Sequence, residues 1–291
     1  MPQIPSPKHV LMATDMSVRS DRGLARAAQL AQGWQATLTV LHAVSRAEVA
    51  YRDRPPMAQP SWRQPEPWLQ TLTRRLGDDL AGEGITAQAE VQVGQTQDVV
   101  LEAAQREGVD LVVLGHAKDD LVDRIQLGST LDALVRRARV PVLNVRDRAR
   151  QPYRHVLVAT DFSAPSAQAL QLAACWFPQA HLTAFYSYLP MAALRTDSPL
   201  DGNSFRESAQ AQMASFLADS GVHVEGGRQV DTLIECGEVA DLLRDYLQES
   251  DVDLVVMGSH GRGGLARALL GSTTEVLLHA LDVDTLVVRP R

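Results

Sequence analysis

The sequence predicts an α/β protein made of two tandem domains, each a five-stranded parallel sheet covered by helices. Two observations carry this expectation. The first is an internal repeat. His9-Val10-Leu11-Met12-Ala13-Thr14-Asp15-Met16-Ser17 returns as His155-Val156-Leu157-Val158-Ala159-Thr160-Asp161-Phe162-Ser163. Val109-Asp110-Leu111-Val112-Val113-Leu114-Gly115 returns as Val252-Asp253-Leu254-Val255-Val256-Met257-Gly258, and Leu127-Gly128-Ser129-Thr130 as Leu270-Gly271-Ser272-Thr273. Three blocks in one order, at offsets of 146, 143 and 143 residues, mark a duplicated unit. The second observation is the alternation of short apolar runs with helical periodicity. Strands joined by helical crossovers pair in parallel and are covered on both faces.

Taken in order, residues 8–14 form a short apolar run and read as a buried strand. Residues 17–32 have helical spacing (Leu24, Ala27, Ala28, Ala31), with Gly33 as the stop signal. Residues 36–44 are apolar and β-branched, a strand. A helix over 68–82, a strand over 85–93, a helix over 96–106, a strand over 109–115, a helix over 129–138 and a strand over 141–146 complete the first copy. The second copy predicts strands near 154–160, 180–188, 222–231, 252–258 and 284–289, with helices between them. The least regular stretches follow the second strand of each copy: Arg46 to Pro67, with five prolines, and Leu189 to Asn203. Loops this long are either surface excursions or covers over a site. The polar stretch from Arg148 to Pro152 separates the copies, giving domains over 1–148 and 152–291.

Composition narrows the function classes. At 291 residues, each half has enough chain for its own core. A formal net charge of −7 without a long basic run argues against a nucleic-acid surface. No apolar run approaches the roughly 18 residues of a membrane span, and the opening MPQIPSPKHV lacks the charged-then-apolar order of a secretory signal. Cys175 and Cys236 alone make neither a disulfide framework nor a metal cluster. The expectation is a reduced, cytoplasmic protein.

In open parallel sheets, ligands bind beyond the carboxyl ends of the strands, where strand order reverses. Thr160-Asp161 and the loop after the fourth strand should meet there. That loop runs Gly258-Ser259-His260-Gly261-Arg262-Gly263-Gly264-Leu265-Ala266-Arg267-Ala268-Leu269-Leu270-Gly271-Ser272-Thr273. Glycine lets backbone approach a ligand closely. Gly271, Ser272 and Thr273 open the next helix, whose free N–H groups favour an anion. Arg262 and Arg267 add positive charge. The set suits a polyphosphate; the plainer alternative is a glycine-rich turn and a helix cap that bind nothing.

The spacing of Gly258, Gly261, Gly271 and Ser272 (G, two residues, G, nine residues, G-S) resembles the ATP-binding signature of the universal stress protein family, and Val158-Ala159-Thr160-Asp161-Phe162-Ser163 resembles that family's first strand. The resemblance recurs once per copy and so matches tandem-domain members. It implies a five-stranded parallel fold of the adenine-nucleotide-binding kind and an ATP cofactor; Mg²⁺ could arrive with the phosphates. It also implies roles for residues. Asp161 would contact the adenosine part, and the backbone near Ser187 the adenine edge. Gly258, Gly261, Gly271, Ser272 and Thr273 would hold ribose and phosphates, with Arg262 beside them. Capping the following helix is the structural alternative for Asp161, although Ser163 is better placed to do so. Single-domain members commonly dimerise through the last strand. The resemblance therefore implies that 142–145 and 285–288 pair between the copies, and it leaves a homodimer of whole chains open.

The copies differ in chemistry. In the first, Lys118 stands where the second has Gly261. Residues 118–127 hold Lys118 and Arg124 against Asp119, Asp120 and Asp123, a net of −1; residues 261–270 hold Arg262 and Arg267 with no acid, a net of +2. Three charges weigh heavily beside a triphosphate even at an effective dielectric of about 20. ATP is expected mainly in the second copy, unless Lys118 grips a phosphate as a point charge. His260 sits in the loop without an evident acid or cysteine partner, and no general base is evident, so no catalytic residue is assigned. The eight histidines lack metal-ligand spacing. No Walker lysine, no GxGxxG after strand one and no GxSxG elbow occurs. A nucleotide-dependent sensor or regulator is the leading expectation. A hydrolase or transferase on the same fold, or a scaffold with another ligand in the first domain, are the alternatives.

Overall fold

The structure is a computed structural model that describes residues 4–18, 20–53, 67–115, 128–189, 202–222, 229–259 and 270–289, the side chains of 202–204 excepted. The described residues from 7 to 150 form one compact unit, and those from 151 onward form a second, which also takes in residues 4–6. Trp176 fastens that short N-terminal piece, its indole Nε1 donating to the Pro5 carbonyl at 3.1 Å.

The first unit runs β1 (His9–Thr14), α1 (Asp21–Trp34), β2 (Thr37–Val44), α2 (Arg46–Arg52), α3 (Trp68–Gly82), β3 (Gln88–Val93), α4 (Thr96–Ala104), β4 (Leu111–Gly115), α5 (Ser129–Arg137) and β5 (Val142–Val145). The second runs β6 (His155–Ala159), α6 (Ala164–Trp176), β7 (His181–Tyr188), α7 (Gly202–Ser220), β8 (Asp231–Cys236), α8 (Val239–Glu249), β9 (Leu254–Gly258), α9 (Ser272–Ala280) and β10 (Asp284–Val288). Strand order is β3-β2-β1-β4-β5 in the first unit and β10-β9-β6-β7-β8 in the second. The pairings within each unit are parallel. In both units the chain reverses its direction of travel across the sheet at the first strand, between β1 and β4 and between β6 and β9.

The inner strands are apolar because helices cover both faces. β9 is buried at every position, and α6 lays Ala169 and Ala173, both 0% exposed, against the sheet where larger side chains would hold the helix away. α7 buries Ala209, Met213 and Phe216, spaced four and three residues apart along one face. Outer strand β8 is exposed or half-buried at all positions but Ile234.

Each copy also pins the start of its first strand with a carboxylate. Asp110 accepts from the amides of Lys8 (2.7 Å) and His9 (3.2 Å), and Asp253 from those of Arg154 (2.7 Å) and His155 (2.9 Å). The repeated Val-Asp-Leu at the head of the fourth strand therefore has a structural purpose. It supplies the acceptor that fixes the neighbouring strand's register.

Three local expectations need correction. The third strand of the second copy is Asp231–Cys236, not 222–231: Thr183 through Tyr188 of β7 pair with it residue by residue, and residues 223–228 lie outside those described. The first helix begins at Asp21 rather than 17, because Thr14, Asp15, Ser17 and Ser20 close a side-chain-bonded turn first. It continues through Gly33 to Trp34, and Gln35, at φ 55°, takes the left-handed position that glycine usually fills. The stretch after β2 holds helix α2, capped by Ser45 accepting from the Glu48 amide; residues 54–66, and 190–201 in the second copy, lie outside the described residues.

Candidate functional site

The order β10-β9-β6-β7-β8 brings together the carboxyl ends of β6, β7 and β9. In doubly wound sheets such a reversal, here between β6 and β9, is where a ligand crevice forms. Thr160 and Asp161 leave β6 on one side of it, and Gly258 and Ser259 leave β9 on the other. Ser187, half-buried near the end of β7, lies one strand further on, in register with Glu235.

A tight turn carries Asp161. The Thr160 hydroxyl accepts from the Phe162 amide at 2.9 Å, and Asp161 Oδ1 accepts from the Ser163 amide at 3.1 Å. Ser163 caps α6 by accepting from the Ser166 amide. The turn holds Phe162 at φ 61°, a left-handed conformation uncommon for a bulky residue. Its ring packs on Tyr186 with centroids 4.3 Å apart and meets Phe216 at 5.6 Å. Sequence reasoning missed this aromatic cluster. Its signal was available in the Tyr186–Tyr188 alternation on one face of β7 and in Phe162 one residue past the aspartate.

The glycine loop is pinned at its base. Gly271 N–H donates to the Ser259 carbonyl and Ser259 N–H to the Val288 carbonyl, both at 2.9 Å. Ser259 is 0% exposed. Buried Thr274 donates its hydroxyl to the Gly258 carbonyl at 2.8 Å. The two ends of the loop therefore meet at the mouth of α9. Gly271 stands at the N-cap, no side chain caps the helix, and the Ser272 and Thr273 side chains are exposed. Glu275 in the first turn was not weighed from sequence, and it places a negative group near that mouth. Gly261, Arg262 and Arg267 lie outside the described residues.

Gly258 has a packing reason to lack a side chain: a Cβ there would lie 3.0 Å from both the carbonyl carbon and the Cβ of Pro165. The first unit solves the same problem differently, with Gly23 of α1 against Gly115, where a Cβ on Gly23 would lie 2.7 Å from the Gly115 Cα.

The strand-one carboxylates are engaged differently. Asp15 Oδ1 accepts from the Ser17 amide (2.9 Å), the Ser17 hydroxyl (2.7 Å) and the Ser20 hydroxyl (2.7 Å). Partial burial pushes this carboxyl up, but the bonds from Ser17 and Ser20 outweigh it and hold the group below the usual carboxylate range. Ser166, which matches Ser20, keeps one bond of its counterpart: its hydroxyl donates to the Ser163 carbonyl at 2.9 Å, as that of Ser20 does to the Ser17 carbonyl at 3.0 Å. Lys118 lies outside the described residues. Among those described, no group of three His, Cys, Asp or Glu side chains could hold a metal, and no helix is long and apolar enough to cross a membrane. Cys236 is exposed at the end of β8, and Cys175 is half-buried on α6.

A duplicated parallel α/β unit, with a glycine loop rooted at its strand-order reversal, defines the class: a tandem protein of the Rossmann-like α/β kind. The chain belongs to the universal stress protein family, whose model matches it twice, over residues 7–146 and 152–289. Universal stress protein Rv2005c of Mycobacterium tuberculosis is 30% identical over 303 aligned positions, covering 96% of each chain. A universal stress protein of Mycolicibacterium smegmatis is 28% identical over 97% of each. Among solved structures, a universal stress protein from Archaeoglobus fulgidus superposes with a TM-score of 0.64 at 18% identity, covering 97% of this chain and 98% of that one. A protein of unknown function from Pseudomonas aeruginosa, PA1789, gives 0.64 at 20% identity, covering 98% and 93%. These two likenesses bear on the fold.

Proposed function

We propose that the chain is an ATP-binding regulator that holds one nucleotide, in the crevice between the carboxyl ends of β6 and β9. It works in the cytoplasm, with domains spanning 1–148 and 152–291. The observation that carries this reading is the pinned loop: the bonds among Gly271, Ser259 and Val288 root it beside an uncapped helix mouth, on the crevice where parallel sheets take ligands. Phosphates would meet the α9 amides and the Ser272 and Thr273 hydroxyls. Gly258, Gly261 and Gly271 would give backbone access, and Arg262 countercharge. The Asp161 carboxylate, with Oδ1 already accepting from Ser163, would accept from a ribose hydroxyl. The backbone beside Ser187 would meet the adenine edge, and Mg²⁺ would arrive with the phosphates. No residue is assigned as a general base, and turnover is slow at most. Binding in the first unit is weak or absent, because its loop is net negative and its Asp15 already accepts three hydrogen bonds.

Calorimetric titration of the whole chain with Mg²⁺-ATP tests this. The expected stoichiometry is one ATP per chain, and Gly261→Lys should abolish binding while leaving the thermal transition in place. Two sites of similar affinity would overturn the asymmetry. No heat at millimolar ATP, or unchanged affinity after the Gly261→Lys substitution, would overturn the site.

A further inference from the structure

A cleft of about 340 Å³ opens between α6 and α7, on the helical side of the turn that carries Asp161. One end is walled by the rings of Phe162 and Phe216, tilted at 61° to each other. Ala164 and Ala167, one helical turn apart on α6, leave room that longer side chains would fill. Across the gap, Ser215 and Asp219 stand one turn apart on α7, the Ser215 hydroxyl donating to Asp219 Oδ2 at 3.2 Å. Asp219 is the one charged side chain among the described residues lining the cleft.

We propose that this cleft is a second ligand site, and that its ligand is a small organic cation, an alkylammonium ion. Three features select that chemistry. An aromatic wall attracts cations through the ring faces and accommodates an alkyl body. A single carboxylate, without a cationic partner among the described residues of the lining, selects a positive head group and rejects an anion. The amide nitrogens of Gln171 and Gln212, which also line the cleft, already donate within the protein, to the Ser220 carbonyl at 2.8 Å and the Ser208 hydroxyl at 3.3 Å. Each amide keeps its carbonyl oxygen as an acceptor for a ligand, and an ammonium head brings three donors to match. The site prefers the opposite charge to the nucleotide crevice and stands whether or not ATP binds there. The first unit does not repeat it: Met16, Val18 and Asp21 occupy the positions of Phe162, Ala164 and Ala167.

The test is an amide-shift NMR titration of the full chain with n-butylammonium, 1-butanol and butyrate at constant ionic strength. Saturable shifts confined to residues 162–171 and 212–220 are expected with butylammonium. Butanol should bind roughly tenfold more weakly, as loss of a cation–π and carboxylate contact implies, and butyrate should not bind. Asp219→Asn should weaken butylammonium by about the same factor while leaving the spectrum elsewhere unchanged. Ala167→Leu should block the cleft; if that variant does not fold, the Asp219→Asn variant still decides. Equal binding of butanol and butylammonium, an affinity unaltered by Asp219→Asn, or no saturable shift at millimolar probe would overturn the proposal.

Discussion

A methyl group placed on Gly258 would press on the first turn of α6, at 3.0 Å from two atoms of Pro165, and Pro165 cannot swing aside as a flexible side chain could. Gly258→Ala should therefore destabilise the second unit by about 1–3 kcal/mol, the usual cost of overpacking a tight contact. A urea midpoint that does not move would show that α6 yields freely. The sequence singled this glycine out for a phosphate, and the structure gives it a packing reason against α6. Close approach to a ligand and close approach to a neighbouring helix leave the same mark in one sequence, because both require only a missing Cβ. Asp161 has the same ambiguity. Its type and place at the end of a strand were legible, whereas its bond to the Ser163 amide depends on a left-handed Phe162, and a bulky aromatic residue gives no local hint of that conformation.

At the scale of elements, periodicity fixed most of the strands and helices, since buried strands and amphipathic helices differ in spacing. It failed where two strand-like runs compete. Residues 222–231 and 231–236 both carry valine, threonine or isoleucine, and only the pairing partner β7 decides between them. Nor could spacing reveal why an aspartate heads each fourth strand. Asp253 accepts two amides at the start of β6, so Asp253→Ala leaves both to water or unpaired. At about 0.5–1.5 kcal/mol per bond, partly recovered by solvent, the expected loss is about 1–2 kcal/mol. Asp253→Asn, which keeps one acceptor oxygen, should lose less. Thermal or urea unfolding of the two variants checks the ranking; equal losses would mean that the charge matters and the acceptor geometry does not.

For the whole molecule, the repeat places one half-buried histidine at the head of each first strand, His9 hydrogen-bonded to the Thr39 hydroxyl at 2.8 Å and His155 to that of Thr183 at 2.9 Å. Burial lowers both pKa values. At His155 the neighbouring His181, with ring centroids 4.8 Å away, lowers it further, and Asp253, Asp231 and Asp251 offset only part of this. At His9, Asp110 and Glu90 pull upward and Arg106 downward, with a net lowering. The unfolded chain therefore binds protons on these rings at a higher pH than the folded chain does. Stability is fully present above the unfolded value of 6.5 and is lost as pH falls through the lower folded values. Asp15, whose folded pKa is also depressed, adds a further loss only as pH drops below its ordinary value of 3.8. The His181–Asp231 contact at 3.1 Å is exposed and well solvated, so it adds little to stability. Urea midpoints measured from pH 8 down to about pH 5 should hold level near the top of that range and then decline. Replacing His9 and His155 together with glutamine, which can still bond the threonine hydroxyls, should flatten the decline. A double variant that declines as steeply as the original chain would place the acid sensitivity elsewhere and remove the two strand-head imidazoles as its source.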